Sequence, residues 1–167
     1  AFQVKYLLRT FLSQYRDPAQ ALEELNKVLS ETGRPEDLVS VCVVVFDTAA
    51  GTIRHCSAGH PAAWLWQQGE MRALRSTGPL LTLDPEATYF SRELPLTEGD
   101  LVLLYTDGLA EARSGSQLFG EDRVAQIVRR DPGQDATTMA KVLLEAARDF
   151  SPEPLSDDVA ILAVRRI

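Results

Sequence analysis

The stretch that most constrains this chain is residues 101–111, Leu-Val-Leu-Leu-Tyr-Thr-Asp-Gly-Leu-Ala-Glu. Its apolar start has the length of a buried strand, and Thr106, Asp107 and Gly108 follow without transition. A carboxylate is thereby delivered at the end of a strand. The glycine behind it permits a sharp turn or a close backbone approach. Near the C-terminus the order is reversed: Ser156, Asp157 and Asp158 run straight into the apolar residues 159–164. Antiparallel neighbours place the C-terminal end of one strand beside the N-terminal end of the other. On that pairing Asp107 meets Asp157 and Asp158 at one sheet edge. Clustered carboxylates repel one another unless a cation lies between them, and an all-oxygen donor set suits Mg²⁺, Mn²⁺ or Ca²⁺.

The rest of the chain predicts helices and hairpins. Val4, Leu7, Leu8, Phe11, Leu12 and Tyr15 follow helical spacing, so a helix is expected to about Gln14. Asp17 followed by Pro18 starts a second, with Leu22, Leu25, Val28 and Leu29 as its apolar face and Gly33 and Pro35 as its stop. The β-branched residues 38–46 predict a central strand, turned at 47–51 into a partner over 52–58. A second hairpin is expected over 61–67 and 70–74 through Gln68 and Gly69, with Trp64 and Trp66 packing on one face. A loop follows over 77–86, where Gly78, Pro79 and Pro85 punctuate the chain. A half-buried strand is then expected over 88–96, with Phe90, Leu94 and Leu96 opposite Tyr89, Ser91 and Glu93. Residues 111–120 have no period and read as a mobile excursion. Helices are expected over 121–130, burying Val124, Ile127 and Val128, and over 139–150. The order predicts an α+β domain built on antiparallel sheet.

Length and charge narrow the function. A chain of 167 residues is expected to form one domain. Its net charge of -7 argues against nucleic acid as partner, because phosphate-backbone binding needs clustered Lys and Arg. The longest apolar runs fall far short of a membrane span, and no signal-peptide pattern is present. Cys42 and Cys56 have no zinc-like spacing to His55 or His60, which predicts two reduced thiols in a cytoplasmic protein. The chain opens on Ala1 directly in helical pattern and is expected to be a fragment of something longer.

Several motifs stand together in register: Ser57-Ala58-Gly59-His60-Pro61, Gly78-Pro79-Leu80-Leu81, Glu98-Gly99-Asp100, Tyr105-Thr106-Asp107-Gly108-Leu109 with Glu111, Phe119-Gly120, and Ser156-Asp157-Asp158. With them the chain resembles the metal-dependent protein serine/threonine phosphatases, in the bacterial branch of the stage II sporulation protein E type. The resemblance implies an αββα sandwich of mostly antiparallel sheets flanked by helices. It implies a binuclear Mn²⁺ or Mg²⁺ centre, and removal of phosphate from Ser or Thr of a regulatory protein such as an anti-anti-sigma factor. It also implies Asp107 and Asp157 as ligands of one metal, with Asp158 as an accepting neighbour or alternative ligand.

One departure weighs against the matches. The family's Asp-x-x-Gly-x-Gly motif, whose Asp bridges both metals, has no counterpart in these residues, and Asp47 and Asp100 lie in expected turns without the following glycines. The expectation is a domain truncated at its N-terminus, inactive by itself, with an uncovered sheet edge that favours a homodimer. Asp107 before Gly108 also suits an ordinary turn. Ser57 lacks the Gly-x-Ser-x-Gly elbow of a hydrolase, so His60 is expected to be a structural turn residue rather than a base. A phosphatase-like docking module without catalysis is the other class of function these residues allow.

Overall fold

The computed structural model describes residues 2–33 and 37–167. Pro35, expected to help end the second helix, lies outside the described residues. Two helices open the chain, α1 (Phe2–Gln14) and α2 (Pro18–Thr32), followed by β1 (Val41–Asp47), β2 (Thr52–Ala58), β3 (Ala63–Gln67), β4 (Glu70–Leu74), β5 (Arg92–Pro95) and β6 (Leu101–Tyr105). A one-turn helix α3 (Asp107–Ala110) comes next, then β7 (Arg113–Ser114), β8 (Gln117–Leu118), α4 (Gly120–Arg130), α5 (Ala136–Phe150) and β9 (Ile161–Arg165). The chain divides into two compact units, Ala1–His60 with Arg75–Leu96, and Pro61–Leu74 with Thr97–Ile167.

In the first unit α2 starts as its sequence dictates. The Asp17 carboxylate accepts from the Ala19 N–H at 3.0 Å, Pro18 occupies the first turn, and Ser91 Oγ donates to the same Asp17 oxygen. At the other end the Gly33 N–H donates to Leu29 O. The helix buries Leu22, Leu25 and Leu29 against Val43, Cys56, Ala58, Leu81 and Tyr89, and α1 adds Leu8, Phe11 and Leu12 from its apolar stripe. The sheet is antiparallel in the order β1-β2-β5, with the hairpin in register from Val41↔Ala58 to Asp47↔Thr52. Two expectations fail here. Among the described residues β1 is an outer strand rather than a central one: β-branched content reports what the faces of a strand pack against, not whether both edges are paired. The strand expected from residue 88 begins only at Arg92, and ahead of it Tyr89 is buried while Phe90 is 53% exposed. Period-2 reasoning assigned these two the wrong way round because it carried the alternation into a segment that is not strand.

The second unit holds an antiparallel sheet in the order β4-β3-β6-β9. Gln68 and Gly69, both at positive φ (52° and 81°), make the tight turn of the β3–β4 hairpin. Strands β6 and β9 pair from Leu101↔Arg165 to Tyr105↔Ile161. Trp64, Leu101, Leu103 and Tyr105 pack with Val124 and Val128 of α4 and with Met139, Leu143 and Ala147 of α5. Ile127 is only half-buried against this core. Trp64 Nε1 donates to Tyr105 Oη at 3.0 Å, which satisfies the polar ends of two buried rings. Within residues 111–120, expected to be a mobile excursion without a period, Arg113 and Ser114 pair with Leu118 and Gln117 in a miniature hairpin. Pairing so short leaves no period for a sequence reading to detect. Among the described residues, no helix is long and apolar enough to cross a membrane.

Candidate metal centre

The rim is built where β6 ends. After Tyr105 pairs with Ile161, Thr106 donates its N–H to Ala160 O at 3.0 Å, and the Ala160 N–H returns to Thr106 Oγ1 at 2.9 Å. The same hydroxyl donates to Asp158 O at 3.0 Å. A side chain thus takes over the ladder where the strand stops, which is why β9 begins at Ile161 although its apolar run begins two residues earlier. Asp107 follows as the first residue of α3. Gly108 then lies so close to the opposite segment that a Cβ there would stand 2.6 Å from Asp158 O and 3.3 Å from Asp157 O. The backbone carrying Asp107 and the backbone carrying Asp157 and Asp158 are therefore adjacent, as the strand argument requires. Thr106 is the positioning residue that sequence reasoning did not single out. Its signal was a hydroxyl-bearing, β-branched residue at the last rung before the carboxylate.

The carboxylates themselves are little used by the protein. Asp107 Oδ1 accepts from the Gly108 N–H at 3.0 Å and Asp157 Oδ1 from the Asp158 N–H at 2.8 Å, while the Asp158 side chain accepts no hydrogen bond from the described residues. All three residues are exposed. Hard oxygen donors on one rim, with lone pairs uncommitted, fit one side of a Mg²⁺ or Mn²⁺ site. Among the described residues, however, no three His, Cys, Asp or Glu side chains stand close enough together to hold an ion. The rim fits a metal as a partial ligand set.

The motif residues of the first unit behave differently. The Thr77 N–H donates to Ser57 O at 2.9 Å, the Ser57 N–H donates to Thr77 Oγ1 at 2.9 Å, and the Gly59 N–H reaches Ser76 Oγ at 2.8 Å and Gly78 O at 3.1 Å. A Cβ on Gly78 would lie 2.3 Å from the Tyr89 ring. These residues clamp the end of β2 to the loop at 76–78. Ser57 Oγ is buried, with no oxygen or nitrogen partner among the described residues and the weakly bonding Cys42 thiol opposite it, so it is no surface nucleophile, and His60 sits half-buried at the end of the clamp. His55, fully buried with neither ring nitrogen hydrogen-bonded, is held down at a pKa of about 4, first by burial and then by Arg92. Burial pushes the Cys42 thiol up to about 12, which keeps it protonated at neutral pH.

This arrangement of helices and antiparallel sheets is that of the PP2C phosphatase domains. The SiaA-PP2C domain of Pseudomonas aeruginosa matches with a TM-score of 0.84 and 21% identity, over 97% of this chain and 67% of that one. The chain belongs to the stage II sporulation protein E (SpoIIE) family, whose model matches residues 1–167. Two relatives from Bacillus subtilis (strain 168) are named phosphoserine phosphatases: RsbU, 20% identical over 98% of this chain, and RsbP, 30% identical over 68% of it. The chain spans 49% of the length of the first and 29% of the second.

Proposed function

We propose that this chain is part of a Mn²⁺- or Mg²⁺-dependent phosphatase acting on phosphoserine or phosphothreonine of a regulatory protein, such as the anti-anti-sigma factor that the family resemblance implies. The observation that carries the reading is the abutment of the Asp107 backbone on that of Asp157 and Asp158, pinned by Thr106 and permitted by Gly108. The names of RsbU and RsbP support the chemistry. Bound divalent ions would supply an activated water and would offset charge on the phosphoryl oxygens. In this reading Asp107 and Asp157 hold one ion through their carboxylates, and Asp158 accepts beside them or substitutes for Asp157. No protein nucleophile is required, in keeping with the burial of Ser57. A further carboxylate would have to come from outside these residues, as in the Asp-x-x-Gly-x-Gly motif that the family resemblance implies.

Phosphate release from a phosphoserine protein tests this. Turnover is expected from a chain extended upstream through that motif, abolished by EDTA and by Asp157→Asn, with almost none from residues 1–167 alone. Metal-independent turnover, or full turnover by the 167 residues, contradicts it. The second reading is a phosphatase-like docking module without catalysis. A native sequence with no such motif upstream selects it. The outer position of the apolar strand β1 supports pairing with a further strand or a second copy, which sedimentation reads as monomer or dimer. Two free cysteines, one buried and one half-buried, support a cytoplasmic setting.

A further inference from the structure

A cavity of about 560 Å³ opens beside the rim, between the C-terminal half of α5 and the segment leading to β9, and its wall includes Leu144, Arg148, Ser151, Glu153, Asp157 and Asp158. That volume lies in the range of small-ligand sites. Its charges conflict with one another: three carboxylates repel any anion, and Arg148 is the single cation in the lining. Arg148 stands in the last turn of α5, where the helix dipole favours a positive charge. It forms no ion pair and no hydrogen bond among the described residues. Arg148 shares this with Arg72, Arg113, Arg129 and Arg130 and differs from them in lining this cavity, whereas two other arginines of the same unit are tied to the fold. Arg165 donates to Gln134 O, Gly99 O and Pro132 O, and Arg123 donates to Leu118 O and Phe119 O while stacking on the Phe150 ring. A guanidinium left over in an acidic cavity has a fork geometry that matches phosphate oxygens two at a time.

We propose that this cavity receives a phosphoserine side chain and that Arg148 binds its phosphoryl group, which makes Arg148 a substrate-binding residue. The inference rests on the metal-rim reading for its context, since Asp157 and Asp158 form both the rim and the cavity wall. The guanidinium offsets the repulsion that a phosphate dianion meets from those carboxylates.

The test is fluorescence anisotropy of a labelled decapeptide with one central phosphoserine, mixed with the intact protein in Mn²⁺ and separately in EDTA. Arg148→Ala is expected to weaken binding about tenfold or more in each buffer where the wild type binds, the scale of a hydrogen-bonded ion pair. Arg148→Lys should fall between the two, keeping the charge but not the fork. Arg130→Ala, which removes the same charge from exposed α4, should stay within about twofold of wild type. In turnover by the chain extended upstream, Arg148→Ala should raise KM for the phosphopeptide with kcat and Mn²⁺ affinity unchanged. The proposal is overturned by Arg148→Ala binding as tightly as wild type, by Arg130→Ala weakening binding equally, or by a wild type that does not prefer the phosphorylated peptide. Binding in EDTA is read without the metal, so the metal reading can fail while this one stands.

Discussion

The clamp around Ser57, Gly59 and Thr77 and the rim around Asp107 and Asp157 carry motifs of equal weight in the sequence, yet the protein uses them in opposite ways. In the clamp, backbone and hydroxyl groups are spent on one another, and Gly78 leaves no room beside Tyr89. At the rim, each of Asp107 and Asp157 accepts one short local hydrogen bond, Asp158 accepts none from the described residues, and all three are exposed. Glycine serves a close approach in both, but Gly78 admits a ring and Gly108 admits a carbonyl. The difference teaches that a motif with its polar capacity consumed holds the fold, and one with capacity left over is available for chemistry.

The sharpest way to break the comparison is Gly78→Ala. Its Cβ would meet the Tyr89 ring at 2.3 Å, so a loss of up to about 3 kcal/mol in urea unfolding is expected, with Mn²⁺ affinity of the folded protein unchanged. Next comes pH. Because the pKa of His55 is about 4 in the folded state against 6.5 normally, the unfolded chain binds the extra proton between those values. The His55 contribution to stability is therefore full above about pH 6.5, falls as pH drops toward 4, and is flat below. A difference on the order of 2 kcal/mol between wild type and His55→Leu should open over that window. An identical pH dependence in the two proteins contradicts the buried, neutral histidine.

Thr77→Val is expected to cost about 1 kcal/mol, because the Ser57 N–H loses its hydroxyl acceptor in a buried place. The smallest effect belongs to Ser57→Ala. Its hydroxyl is buried without an oxygen or nitrogen partner among the described residues, so stability should move by less than about 0.5 kcal/mol, and turnover by the chain extended upstream, if the proposed function holds, by less than about twofold. A large loss of turnover there would move Ser57 from the clamp to the chemistry.

Much of this was legible from residue spacing. The pairing of β6 with β9 followed from two apolar runs with acidic residues at the ends that antiparallel geometry brings together. The Asp17 and Pro18 helix start and the Gln68 and Gly69 turn were equally explicit, since each depends on side-chain chemistry within a few residues. What failed depended on distant partners. The outer position of β1 and the inversion of Tyr89 and Phe90 are set by which strand is hydrogen-bonded to which, and local pattern carries no record of that. Thr106 and Arg148 were illegible for a related reason. A threonine at a strand end and an arginine in a last helical turn are common, and only the structure separates a hydroxyl clamped between two segments, or a guanidinium lining an acidic cavity, from their ordinary uses.

The most direct measurement is a calorimetric Mn²⁺ titration of the intact protein beside its Asp107→Asn, Asp157→Asn and Gly108→Ala variants. The account predicts that the two carboxylate variants lose more than about 100-fold in affinity while unfolding at the same or a higher temperature, because repulsion at the rim is relieved. It predicts that Gly108→Ala also loses about tenfold, since its Cβ would push Asp157 and Asp158 away from Asp107. Equal Mn²⁺ affinity in wild type, Asp107→Asn and Asp157→Asn contradicts the account.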